Sequence, residues 1–267
     1  MTARPAWLNH LETDPPALFA AALAIAAEHD PDLNSEHWLR EISNLRQQVA
    51  AGLPNLPPGE LAQPLLRRLN ELDFHEDDGL PTRPQAALLH RVLQRRRGQP
   101  LSLALIALEL ARQLEIPLQA VNFPGHLLLR VPGADHLLDP CSGRRLYTRD
   151  CRELLARVGG VHLELNASHL QTADSHALLL RLSRNLCNLH GAAGEHLAAL
   201  KDAERVLFLA PPNAADHQVR AMIYRELDCP QAERYDLERA LLLSEDPQES
   251  LRLSQRLHEL ARAPALH

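Results

Sequence analysis

The chain has 267 residues, enough to bury one large core or two modest ones without disulfide staples. Hydrophobic residues make up 45% and charged residues 23%, the balance of a soluble globular protein, and a net charge of −6 argues against a general nucleic-acid binder. Aromatics are only 3%, which leaves too few rings to stack on single-stranded nucleic acid.

The opening stretch MTARPAWLNHLETDPP lacks the apolar centre of a signal peptide, and no run approaches the ~18 apolar residues of a membrane span, so a cytoplasmic location is expected. The four cysteines, Cys141, Cys151, Cys187 and Cys229, are scattered and form no CxxC pair. That pattern fits a reducing compartment and argues against a closed zinc site.

Residues 14–72 read as helices punctuated by proline. DPPALFAAALAIAAEHDP offers Asp14 as an N-cap, with prolines before an apolar body. NSEHWLREISNLRQQVAAG is amphipathic, with Trp38, Leu39, Ile42 and Leu45 at helical spacing. PPGELAQPLLRRLNEL is a third helix, interrupted by Pro64. DFHEDDGLPTRP then reads as a polar loop, and QAALLHRVLQRRRG as a helix with a basic end. Ten of the fourteen residues from Leu101 to Leu114 are apolar, on most of the helix circumference. Such a helix must be covered on most sides and marks the centre of the first domain. PLQAVNF, HLLLRV and HLLDP follow as short antiparallel strands, and TRDCRELLARVGG as a capped helix ending at a double glycine.

Beyond about residue 172 the pattern is wholly helical. DAERVLFLAPP overlays on DLERALLLSEDP without a gap, Asp202 falling on Asp236, Glu204 on Glu238, Arg205 on Arg239 and Leu207 on Leu241, each pair 34 residues apart. That period, with proline after both helices, is the tetratricopeptide pattern, although its Trp and Gly-Tyr landmarks are missing. Two degenerate repeats and a terminal helix are expected; two helical hairpins alike by chance is the alternative.

Two charged stretches have ordinary readings. Arg95, Arg96 and Arg97, with His90, complement a helix dipole, or else form a patch for an acidic partner. His75-Glu76-Asp77-Asp78-Gly79 lacks the alternating ligands and closing Glu of a calcium loop and reads as solvated.

Three motifs carry a resemblance: Arg96-Arg97-Gly98-Gln99-Pro100-Leu101-Ser102-Leu103, Val121-Asn122-Phe123-Pro124-Gly125-His126 and Leu138-Asp139-Pro140-Cys141-Ser142-Gly143. Over roughly residues 30–262 the chain resembles the SirB-type family of the transglutaminase-like superfamily, whose fold is related to papain-like proteases. The resemblance implies an α+β, helix-rich domain over 1–165 with a small antiparallel sheet. It also implies an all-α tetratricopeptide-type module over 172–262. Active members carry Gly-x-Cys at the start of a buried helix, a His on one strand and an Asp on the next. A helix N-terminus lowers a thiol pKa and holds an oxyanion, His takes the proton, and Asp fixes the tautomer. His126 and Asp139 match those positions, but Pro100 stands where the nucleophile would be.

Two substitutes for the nucleophile come to hand. Ser102 lies two residues on, about 200° round the helix at ~100° per residue, which suits a helix-start hydrogen bond better than catalysis. Cys141 with His126, His136 and Asp139 suggests a relocated thiol or a metal site, although a lone Cys more often packs as a small hydrophobe. His126 and Asp139 either form a structural pair or help bind a ligand or peptide carboxylate. The expectation is a non-catalytic regulatory or interaction protein, a pseudoenzyme. Its cleft comprises Pro100, Asn122, Phe123, His126 and Asp139, and it takes a protein or peptide partner. Nucleic acid, membrane, metal and cofactor are not expected, and the oligomeric state is left open. The alternative is a hydrolase or acyl-transferase with Ser102 or Cys141 as a displaced nucleophile acting with His126 and Asp139.

Overall fold

The structure is a computed structural model describing residues 5–13, 15, 17–79, 82–159 and 163–262. The expected cap at Asp14 and the second glycine of the pair after Val158 lie outside these residues. The chain divides into two compact units, Met1–Leu182 and Ser183–His267.

The first unit is built round one helix. Helices α1 (Ala6–Leu11), α2 (Leu18–Ala27), α3 (Ser35–Ala50), α4 (Ala62–Glu71) and α5 (Leu89–Arg95) precede α6 (Pro100–Gln113). Nine residues of α6 are buried, from Leu101 to Ala111, and α2, α3, α4 and α5 all pack against it. This follows from its composition: apolar on most sides, it needs cover on most sides. In α3 the buried positions are Ile42, Leu45 and Val49, under an Asn34 cap that accepts the His37 amide at 3.1 Å. Leu39 is 40% exposed, so of the expected positions Trp38, half-buried, continues the stripe and Leu39 does not.

Prolines act at helix starts. Pro64 does not interrupt α4, because it falls in the first turn, where an N–H has no intrahelical acceptor anyway. The 84–97 segment is less regular than a single helix: Pro84–Ala86 form a 3-10 turn, Leu88 is extended, and only then does α5 begin.

Two sheets complete the unit. Strand β1 (His75–Glu76) pairs in parallel with β2 (Arg97–Gly98), inside the stretch expected to be a loop. Two polar residues show no alternation, so the pairing leaves no trace in the sequence. Strands β3 (Gln119–Val121), β4 (Leu128–Arg130), β5 (Leu137–Leu138) and β6 (Arg145–Leu146) form an antiparallel sheet in that order, with Val121 opposite Leu128 and Leu129 opposite Leu138. An antiparallel bridge from Val121 to Thr172 covers the β3 edge. Val121, Phe123, Leu128, Leu137 and Leu146 pack with Cys151 and Leu155 of α7 (Thr148–Gly159) into one buried cluster. The division between the units falls inside α8 (Ser175–Ala192).

The second unit is helical among its described residues: α9 (His196–Leu209), α10 (Ala214–Glu226), α11 (Pro230–Leu243) and α12 (Pro247–Arg262), each packed on the next. The overlaid aspartates, Asp202 and Asp236, are both fully buried. Asp202 accepts hydrogen bonds from His190 and Arg205 at 2.7 Å each. Asp236 is held by His217 at 2.8 Å and by Arg220 Nε and Nη2 at 2.7 and 2.8 Å.

Candidate functional site

The start of α6 is the natural place to look for chemistry. Gln99 is the N-cap, its N–H donating to Ala86 O at 2.7 Å, and Pro100 is the first helical residue. Gly98 is fixed by packing: a β-carbon there would come within 2.6 Å of Val92 Cγ1. Ser102 is fully buried, and its Oγ donates to Ala87 O at 3.1 Å. The hydroxyl therefore ties α6 to the 84–88 turn and spends its proton on a carbonyl.

The loop after β3 carries the expected histidine. Gly125 adopts φ +70° with its α-carbon face against Val158, and the His126 amide donates to Phe123 O at 3.0 Å, turning the chain back into β4. Asn122 is exposed, His126 half-buried, and Phe123 fully buried in the sheet–α7 cluster. Phe123 thus lines no open cleft, a correction that follows from its inward position beside Val121. The His126 ring makes no hydrogen bond among the described residues. The loop is clamped instead by Arg181 of α8, whose Nη1 donates to Asn122 Oδ1 at 2.5 Å, His126 O at 2.9 Å and Phe123 O at 3.3 Å. Burial pushes the Arg181 pKa down. Sequence reading missed this residue: it lies more than 50 positions from the loop, in a helix whose pattern shows only packing.

Asp139 does not pair with His126 among the described residues. Its Oδ1 accepts the amides of Cys141 at 2.7 Å and Ser142 at 3.3 Å, closing the turn between β5 and β6. Two α4 side chains lock that turn from outside: Gln63 donates to Gly143 O at 2.9 Å, and Asn70 to Cys141 O at 3.1 Å. Asn70 also meets His75 Nδ1 at 2.8 Å. The Cys141 thiol is pushed far above its ordinary pKa, first by burial and then by the charges of Asp139 and Glu76. A thiol so held stays protonated, and the thiolate is the reactive form. His136 is bonded to Asp135 at 2.9 Å and tilts against Tyr147. Among the described residues His126, His136, Asp139 and Cys141 do not converge as metal ligands.

The basic helix end has internal partners. Arg95 meets Asp77 at 2.9 Å, Arg96 donates to Leu72 O at 2.8 Å, and Arg97 binds Asp73 through both its carbonyl and its carboxylate. The patch reading loses its free charges to the neighbouring acidic stretch. A separate groove of about 470 Å³ lies along α6, lined among others by Leu18, Phe19, Leu105, Leu108 and Leu118, and includes none of the expected residues.

A buried helix packed on β3 of a small antiparallel sheet, with the histidine loop and the aspartate turn at successive strand connections, is the arrangement of a transglutaminase-like domain. The Transglutaminase-like superfamily model matches residues 36–184. Among curated relatives, a UPF0162 protein of Pseudomonas aeruginosa is 63% identical over 262 residues, 98% of this chain and 97% of that one. A UPF0162 protein of Xylella fastidiosa is 30% identical, over 90% of this chain and 89% of its own. Protein SirB1 of Salmonella typhimurium is 28% identical over 62% of this chain and 63% of its own. The chain belongs to the transglutaminase-like superfamily, in its SirB-type, UPF0162 family. No solved structure matches it significantly.

Proposed function

We propose that the protein is a non-catalytic interaction or regulatory protein on a degenerate transglutaminase-like frame, with a protein or peptide as partner. One observation carries this reading: α6 begins with Pro100, a residue without a nucleophilic atom, where the resemblance places the cysteine of active members. The two substitutes are committed elsewhere, since the Ser102 hydroxyl is buried on Ala87 O and the Cys141 thiol is held protonated. Acyl transfer needs a nucleophile within hydrogen-bond reach of a base, and neither group bonds to the His126 ring among the described residues.

The helices after residue 172 are read as two degenerate tetratricopeptide-type repeats and a closing helix, supported by the 34-residue overlay and the two buried aspartates it aligns. Such modules hold peptides or helices of partners. Val219 and Met222 are exposed on α10, Met222 at 68%, on a helix that would supply the partner-facing side.

The test pairs capture with turnover. Full-length wild type is compared with His126→Ala and Met222→Glu in affinity capture followed by mass spectrometry. The same three proteins are assayed on glutamine-peptide amides and activated esters. The expected result is a bound set that shrinks in one or both variants and no turnover by wild type. Turnover lost in His126→Ala would make the protein an enzyme, and a bound set unchanged in both variants would remove the interaction reading.

A further inference from the structure

Arg181, like Arg96 and Arg130, hydrogen-bonds only to neutral oxygens, unlike four ion-paired arginines later in the chain. Arg184 pairs with Asp216, Arg205 with Asp202, Arg220 with Asp236 and Arg256 with Glu233, each at 2.7 Å. Arg181 meets only neutral oxygens, and among the described residues no carboxylate reaches it. A guanidinium drawn partly out of water without a counter-ion is costly, so the site is electrostatically incomplete as it stands.

The geometry also says which edge is left unbonded among the described residues. All three contacts fall on Nη1, so Nη2 and Nε make no bond among the described residues. Asn122 gives its Oδ1 to Arg181, and its Nδ2, on an exposed residue, is left with donors only. The His126 ring sits on the residue whose carbonyl touches the guanidinium, and in its neutral form it carries one N–H and one acceptor nitrogen. The unbonded groups of Arg181 and Asn122 are donors, with one fixed positive charge among them. A planar fork of this kind fits a carboxylate through two parallel hydrogen bonds. The single fixed charge matches a monoanion better than a phosphate dianion.

We propose that Arg181, with Asn122 and His126 beside it, is a binding site for a carboxylate of a bound peptide, either its C-terminus or an Asp or Glu side chain. The inference rests on the interaction reading above and gives that reading a ligand chemistry. Arg181 then has two roles: Nη1 shapes the 122–126 loop, and the other edge receives the anion.

The experiment uses the full chain and three matched pools of fluorescein-labelled random nonapeptides. One pool is a free C-terminal acid without Asp or Glu, one the corresponding amide, and one an amide containing a single Asp or Glu. Wild type is expected to retain one of the carboxylate pools over the neutral amide by about tenfold or more, the worth of one charge-assisted contact; the pool enriched identifies the source. Arg181→Gln abolishes the preference, and Arg181→Lys, which keeps charge without the fork, reduces it. Should Arg181→Gln fail to fold, the ¹⁵N guanidinium resonances of Arg181 in wild type serve instead. They are expected to shift with acetyl-trialanine acid and stay put with its amide. Equal retention of acid and amide, a preference that survives Arg181→Gln, or a shift produced by inorganic phosphate and not by the acid overturns the site. Capture of a partner with no acid preference removes this inference alone. Acid preference without any captured partner removes the interaction reading and leaves the site standing.

Discussion

Gly98 is held by space. Its backbone passes Val92 so closely that a methyl group has nowhere to go, and Val92 is itself fully buried. Gly98→Ala is expected to cost about 1–3 kcal/mol of stability by overpacking, read by denaturant unfolding, and Val92→Ala in the same chain to recover part of it. Ser102→Ala leaves Ala87 O without its donor and is expected to cost about 1–2 kcal/mol by the same measurement, with partner capture unchanged. His90 reports on pH. It is buried under Trp38, with Nε2 on Asp30 at 3.1 Å and Arg91 on the same carboxylate. Burial holds its pKa below the usual 6.5, with the charge of Arg91 adding to the effect and Asp30 opposing it. The unfolded chain therefore takes up this proton first. Stability falls as the pH drops through about 6.5 and levels off below the folded-state pKa. His90→Gln should flatten that part of a stability–pH curve; an unchanged slope would show that the proton goes elsewhere.

Among the elements, the strongly patterned ones were legible and the irregular ones were not. The burial of α6, three of the four antiparallel strands and Pro100 at the first helical position follow from apolar coverage, Pro-Gly steps and proline's fixed φ; β6, two residues long, left no such trace. The β1–β2 pair was invisible because each strand is two residues long, and the late start of α5 because no rule stops a helix at Leu88. At the site, the motifs located the histidine loop and the aspartate turn but not their partners. Asp139 spends its carboxylate on local amides, which an Asp-Pro-Cys-Ser-Gly turn could have announced. Arg181 reaches the loop from a distant helix, and no local pattern encodes that. The two overlaid aspartates of the second unit are buried in ion-paired networks. Asp236→Ala strands Arg220 and His217 and should cost about 3–5 kcal/mol. Arg234→Ala, which breaks an exposed pair with Glu238, should cost at most about 1 kcal/mol. Thermal unfolding of the two variants side by side checks the ranking.

At the scale of the whole molecule, charge points away from nucleic acid. The net charge is −6, and the most concentrated basic stretch, Arg95 to Arg97, is met by Asp73, Asp77 and backbone carbonyls. The full chain is expected to pass through a heparin column at about 150 mM salt, where charges beyond ~8 Å are screened; firm retention would expose a basic surface not accounted for. Among the described residues, no helix is long and apolar enough to cross a membrane. The carboxylates of the second unit have a mechanical consequence. Each sits like a peg in a socket of Arg or His from a neighbouring turn or helix, at Asp202, Asp216, Asp236 and Glu233. Sliding one helix along its neighbour by a single turn would separate the pairs that join them, so these pairs oppose such a slide.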